Sequence, residues 1–249
     1  MARPSPSPAP AATADAAEVA RFEALAAHWW DPKGPHGPLH RLNPARLGYV
    51  RDALAPLADG RDGSPLRGLA VIDVGCGGGL VSEPLARLGA HVTGLDAGAE
   101  AIAVARVHAA EQDLAIDYRV GTAEDMVETG ARFDAVVALE IVEHVPDLDR
   151  FLAACVALTR PEGRIVLSTL NRTARSFALA IVGAERVLRW LPSGTHDWRK
   201  FPRPAELARS LRATGARVTD VTGLAYDPSH DAWRLSRDTA VNYLATAVV

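Results

Sequence analysis

From residue 69 onward the chain alternates short apolar runs with amphipathic stretches, and this alternation narrows the possible folds more than any other feature. Residues 69–74, 91–95, 116–120, 133–139 and 164–170 are strand-like. Between them, 81–88, 100–111 and 148–158 carry helical spacing. After Pro204 come a helix over 205–214 and two more strand segments, 217–223 and 238–248. Strands separated by helices of this length build βαβ units with right-handed crossovers. The expectation is an α/β chain with a doubly wound, mostly parallel sheet. Ligand should then sit beyond the carboxyl ends of the strands, at the switch point.

Two parts fall outside the alternation. Residues 17–60 read as an N-terminal helical cap. It holds an aromatic helix (Phe22, Leu25, Trp29) and a second helix opening at Asn43–Pro44, with Asn as cap and Pro in the first position. The other part is a helical insertion at 171–203. The main domain therefore spans 61–249. Residues 1–16, rich in Pro, Ala and Ser, contain neither the apolar run of a secretory signal nor an arginine-studded helix, so a disordered tail is expected. No apolar run reaches the roughly 18 to 20 residues that span a bilayer.

The first strand runs into VIDVGCGGGL, residues 71–80, with four glycines in five positions. A triphosphate loop needs GxxxxGK[ST], and no lysine is near. A dinucleotide fingerprint needs GxGxxG, and its last glycine is replaced here by Leu80. That leaves an oxidoreductase as a weakened rival. With a net charge of -3 and no basic block, a nucleic-acid partner is not expected. Two cysteines, Cys76 and Cys155, in 249 residues fit a reducing compartment.

Asp73, then Gly75–x–Gly77–x–Gly79, then Asp96 at the end of the next strand resembles the class I S-adenosylmethionine (SAM) methyltransferases, whose sheet is Rossmann-like. SAM carries no phosphate, so the glycines serve close approach of the backbone rather than a phosphate cradle. Asp96 would accept hydrogen bonds from the ribose hydroxyls. The segment Gly121-Thr122-Ala123-Glu124-Asp125 follows the third strand, where that class holds adenine, and this brings Glu124 toward the cofactor. Leu139, ending the fourth strand, would lie along it.

The next segment, LEIVEHV (139–145), bears on the methyl acceptor. A phenol with a pKa near 10 is a poor nucleophile at neutral pH. His144 could take its proton. Alternatively Glu140, Glu143 and His144, spaced i, i+3, i+4, could bind a divalent ion that lowers the phenol pKa.

Several longer segments carry a more specific resemblance: FEALAAHWWDPKGPHGPLHRLNPARLGYV (22–50), STLNRT (168–173), VGAERVLRWLPSGTHDWRKFPRPAEL (182–207) and VNYL (241–244). They are similar to the O-methyltransferases of ubiquinone biosynthesis over nearly the whole chain after residue 17. The resemblance implies methylation of a hydroxyl on 2-polyprenyl-6-hydroxyphenol and on 3-demethylubiquinol. By motif it carries over Arg46, Gly75, Asp96 and Leu139 as cofactor positions. It also points to magnesium, matching Glu140, Glu143 and His144; a quinone-making complex is a further partner to be considered. In residues 177–191, FALAIVGAERVLRWL, the apolar side chains Phe177, Ile181, Leu188 and Leu191 share an arc. A polyprenyl tail lives in the bilayer, so this segment is expected to dock a cytoplasmic enzyme peripherally on the inner membrane. A lid over the pocket is the plainer role for it. The rival functions are a methyltransferase for a soluble small phenol and a non-catalytic SAM-binding scaffold.

Overall fold

The computed structural model of the chain describes residues 14–59, 63–179, 197–227 and 229–249. Its strands are β1 (Ala70–Val74), β2 (His91–Asp96), β3 (Asp117–Val120), β4 (Phe133–Leu139), β5 (Thr159–Leu170), β6 (Arg217–Asp227), β7 (Ala232–Ser236) and β8 (Asn242–Val248). They form one sheet in the order β3-β2-β1-β4-β5-β8-β6-β7. The pairs among β1 to β5 are parallel, and those joining β8 to β5 and to β6, and β6 to β7, are antiparallel. The mostly parallel, doubly wound sheet read from the alternation is therefore present, with an antiparallel flank. The chain builds outward from β1 to β3, then returns to lay β4 on the other side of β1. Their carboxyl ends diverge at that reversal and open a crevice.

The helices are α1 (Ala16–Glu23), α2 (Gly37–Leu54), α3 (Ser82–Arg87), α4 (Ala99–Glu111), α5 (Ala123–Glu128), α6 (Leu148–Leu158), the single turn α7 (Ala174–Ser176) and α8 (Pro204–Ala213). On one sheet face Phe151, Leu152 and Leu158 of α6 and Leu207 and Leu211 of α8 pack on Ile72, Val136 and Ile165. On the other, Tyr49, Val50 and Leu54 of α2 and Leu85 of α3 pack on Val71, Val137 and Val166. Burial on both faces explains the near-continuous apolar runs of the central strands. Each such side chain contributes about 1.5–3 kcal/mol by leaving water.

Several expected boundaries change. The second cap helix opens at Gly37–Pro38, and Asn43–Pro44 lies in its interior. Asn43 does not cap: its Nδ2 donates to Leu80 O at 2.7 Å, pinning α2 to the glycine loop. Arg46 is accordingly well inside α2 rather than in its first turn. The aromatic helix stops at Glu23, and Leu25 and Trp29 flank a short 3-10 turn over Ala26–His28. β8 begins four residues later than expected because Asp238 folds back to accept from Ala240 N. β7 and α5 were not anticipated. β7 is a five-residue edge strand with no buried position, and α5 is six residues long, although Thr122 and Asp125 form a full capping box at its start. The expected tail lies outside the described residues up to position 13, and Asp15, near its end, caps α1. Of the insertion, 180–196 lie outside the described residues, and so does most of the 177–191 helix.

Candidate active site

After β1 the chain turns through Gly75, Gly77 and Gly79, all in left-handed backbone, with φ of 74°, 50° and 92°. A side chain here would be strained and would also collide. A Cβ on Gly77 would lie 2.0 Å from Trp29 Cζ2, and one on Gly78 2.2 Å from Trp29 Cγ. The indole of Trp29 thus lies against the loop. Its neighbour Trp30 donates from Nε1 to Gly78 O at 3.0 Å and stacks on His108 of α4, so the cap grips the loop and α4 together.

Asp96 ends β2 and braces the same loop. Its Oδ2 accepts from Gly77 N and its Oδ1 from Gly98 N, both at 2.8 Å. Gly75 N and Cys76 N donate to Leu95 O beside it. Burial pushes the Asp96 carboxyl above its ordinary range, and the two amides oppose that shift. Asp73 is buried and accepts from Ser82 Oγ at 2.6 Å; desolvation pushes it up to about 7. Arg46 is buried as well. Its Nη2 donates to Asn43 Oδ1 at 3.1 Å and its Nη1 lies 3.9 Å from Glu140 Oε1, while Nε has no hydrogen-bond partner among the described residues. An unanswered donor sealed from water costs about 1–3 kcal/mol, which marks a place for an anion.

Beyond Leu139 at the end of β4, Glu140 adopts φ 55°, a strained conformation for a side-chain-bearing residue. The turn is held by Glu140 N donating to Ser168 O at 3.0 Å and Ser168 Oγ donating to Glu140 Oε1 at 2.7 Å. Glu143 accepts from Thr169 Oγ1 at 2.8 Å; burial first, then the neighbouring Glu140, push its carboxyl well above the usual range. His144 faces the other way. Its Nδ1 lies 2.8 Å from Glu18 Oε2 of α1, and Phe22 meets its ring edge-on at 5.1 Å.

One pocket at the crevice is lined by Arg46, Asp73, Gly75, Gly77 and Asp96, and, on its far side, by Leu139, Glu140 and His144. Two of the expected site residues stand elsewhere. Glu124 does not line the pocket: α5 starts at Ala123, which turns Glu124 toward α6, where it pairs with Arg150 at 3.5 Å. Glu143 lies behind the wall. Of the three residues expected to hold magnesium, Glu140 and Glu143 lie close enough to interact with each other, whereas His144 Nδ1 engages Glu18. Among the described residues no group of three or more His, Cys, Asp or Glu side chains is arranged to hold a metal ion. The sequence reading had no role for Glu18, and it named Phe22 and Trp29 only as members of an aromatic helix in the cap. The local sequence signal for Glu18 and Phe22 is that they fall four apart on one helix face, and Phe22 and Trp29 lie in the 22–50 segment that carries the family resemblance.

The residues present fit SAM. The glycine cradle is closed by Trp29 where any Cβ would collide, and Arg46 Nε is an unanswered buried donor for a carboxylate. Asp96 keeps acceptor capacity beside the cradle, because an ionised carboxylate has about four lone-pair positions and two are used. The sheet order and this crevice define a class I SAM-dependent methyltransferase. Residues 72–167 match the methyltransferase domain family. The fold is also that of magnesium protoporphyrin IX methyltransferase from Synechocystis PCC 6803, solved with bound SAH, with TM-score 0.59 and 22% identity over 81% of each chain. The ubiquinone biosynthesis O-methyltransferase of Methylobacterium sp. (strain 4-46) is 56% identical, covering 94% of each chain. That of Azorhizobium caulinodans is 53% identical over 93% of this chain and 92% of its own. The chain belongs to the ubiquinone biosynthesis O-methyltransferases.

Proposed function

We propose that this chain transfers a methyl group to the phenolic hydroxyl of polyprenyl substrates, 2-polyprenyl-6-hydroxyphenol and 3-demethylubiquinol. The observation that carries the reading is that His144 lines the same pocket as the glycine loop, Asp96 and Arg46. A group able to take a proton thus shares a chamber with a site suited to a methyl donor. The names of the curated relatives support the substrate class.

SAM, when bound, supplies a methyl already activated on a sulfonium, so the protein must orient, exclude water and deprotonate. Arg46 would hold the methionyl carboxylate through Nε, and Asp96 would accept hydrogen bonds from the ribose hydroxyls. Leu95, Ala123 and Leu139 form the apolar walls, and Gly75 and Gly77 line the same pocket. Asp73 anchors the loop from below through Ser82 rather than reaching outward. Val145, Ile141 and Phe22 surround His144 with apolar surface suited to an aromatic ring. His144 takes the hydroxyl proton onto its ring as the oxygen turns nucleophilic, a contribution of about 10²–10⁴-fold. No step is routed through magnesium, because among the described residues Glu140, Glu143 and His144 do not form a three-membered ligand group.

The substrate tail implies a cytoplasmic enzyme that meets the inner membrane peripherally through 177–191 and works beside other quinone-making enzymes. No helix among the described residues is long and apolar enough to cross a membrane. Phe177 and Leu179, where that segment begins, are exposed apolar side chains. Ile181→Glu with Leu188→Glu should abolish liposome binding while the protein still folds; unchanged binding would remove this segment as the dock. The substrate reading is tested by comparing a short-tailed demethylubiquinol with the tail-less catechol. We expect at least a tenfold higher kcat/KM for the tailed acceptor. Equal values would favour a soluble phenol as the natural substrate.

A further inference from the structure

Trp29 carries a polar atom that no neighbouring group answers. An indole N–H removed from water ordinarily finds an acceptor. That of Trp30 donates to Gly78 O at 3.0 Å and that of Trp198 to Thr173 O at 2.9 Å. Trp29 is only 8 % exposed, yet its Nε1 has no hydrogen-bond partner among the described residues. His36 lies on the indole, with ring centroids 4.1 Å apart and planes 32° from parallel. It does not supply the acceptor, because ring nitrogens bond in the plane of the ring and these two rings meet by their faces. The glycine loop fixes where the orphan sits. Trp29 Cδ1 is 2.4 Å from the place a Cβ on Gly78 would take, and Cε2 is 2.8 Å from that on Gly77. Nε1 is bonded to both carbons, so it stands over the junction of Gly77 and Gly78.

Trp29 lines the same pocket as Arg46, whose Nε is, among the described residues, the other unanswered buried donor there. Indole and guanidinium nitrogens donate only, so both call for an acceptor. SAM has one group with two anionic oxygens, its carboxylate; its amino group is itself a donor. We propose that the Trp29 indole N–H is a cofactor-binding group that shares the methionyl carboxylate with Arg46. Two buried donors meet two oxygens, and neither is left unpaired when the cofactor is bound. A phenylalanine would also fill the space over the two glycines; only the indole adds the donor. The two donors come from different parts of the cap, Trp29 beside its 3-10 turn and Arg46 inside α2. Asn43 couples them to the loop, since it accepts from Arg46 Nη2 and donates to Leu80 O. The carboxylate thereby ties both segments of the cap to the glycine loop.

The inference rests on Arg46 meeting the carboxylate, so the test reports on each residue separately. The probes are SAM and S-adenosylmethioninamine, the same sulfonium without the carboxylate. Their dissociation constants would be measured by calorimetry for the full chain, for Trp29→Phe and for Arg46→Met. Trp29→Phe keeps a ring over the loop and removes the donor. It should weaken SAM about tenfold or more, the equivalent of one hydrogen bond to a charged group, and leave S-adenosylmethioninamine within twofold of the parent. Equal weakening of both ligands would mean that the indole only packs the loop, and unchanged SAM affinity would mean that it donates nothing; either result overturns the proposal. Arg46→Met should show the same selectivity for the carboxylate. If Arg46→Met alone is selective, the Arg46 assignment stands and that of Trp29 falls. If Trp29→Phe alone is selective, the indole keeps the carboxylate and Arg46 loses it. In the unmutated protein the Trp29 indole N–H proton resonance should move downfield with SAM and stay in place with S-adenosylmethioninamine. The same response to both ligands would overturn the proposal without any variant.

Discussion

Asp96 shows how one side chain can serve two tasks. Its carboxylate already answers two backbone amides, and in the proposed reading it would also receive the ribose hydroxyls. Asp96→Ala should therefore weaken SAM binding by at least about 1.5–3 kcal/mol, the worth of a hydrogen bond to a charged group, and it should loosen the loop as well. Calorimetric titration checks this; an unchanged dissociation constant would place the ribose elsewhere. Asp73 makes a different prediction. Its native pKa is near 7, set chiefly by desolvation, against an ordinary value of 3.8. Between those two values the native state holds a proton that the unfolded state has released. Stability from this group is thus complete below about pH 4 and is lost as pH rises through 7. Asp73→Asn cannot ionise, so its stability relative to the parent should improve between pH 5 and pH 8, with a ceiling of about 4 kcal/mol. Thermal melts at both pH values measure the difference, and a constant offset would contradict it. At this scale the sequence was informative wherever a residue acts through its own backbone. Gly75, Gly77, Asp96 and Leu139 all line the crevice. Glu124 does not, because where it points depends on the cap that begins α5 and on Arg150 of another helix.

The elements that matter most are the glycine loop and the cap laid across it. Trp29 occupies the space a Cβ would need at Gly77 and Gly78, and Trp30 and Asn43 bond to the carbonyls of Gly78 and Leu80. Gly78→Ala is expected to displace the indole, lowering the melting temperature and blue- or red-shifting the tryptophan emission. The cost should shrink in a Trp29→Ala background, because the collision is then gone; a double-mutant cycle with no coupling would show that the loop tolerates the side chain by itself. The alternation of strand and helix was legible because central strands buried on both faces read as apolar runs. The Asn43–Pro44 pair misled because a cap signature and a mid-helix strut have the same letters. Nothing local shows that Asn43 reaches a carbonyl 37 residues away. β7 escaped for a related reason: an edge strand needs no buried residue, so it leaves no hydrophobic pattern.

For the whole molecule, topology explains why the site is where it is. The reversal between β1 and β4 brings the loops after β1, β2 and β4 to one crevice, and the N-terminal cap supplies its roof. The antiparallel flank of β6, β7 and β8 carries none of these residues and instead extends the core under α8. The doubly wound architecture could be read from the sequence. The partnership of Glu18 with His144 could not, because it exists only once the cap has folded back over the sheet. The central claim is that one chamber holds both the methyl donor and His144 as the base for a phenolic hydroxyl. Its most direct test is methyl transfer from labelled SAM to a short-tailed demethylubiquinol after chelation of divalent ions, with parent protein and His144→Ala side by side. The account predicts product from the chelated parent and a loss of about 10²-fold or more in His144→Ala with SAM still bound. Product that requires added Mg²⁺, or full turnover by His144→Ala, would contradict it.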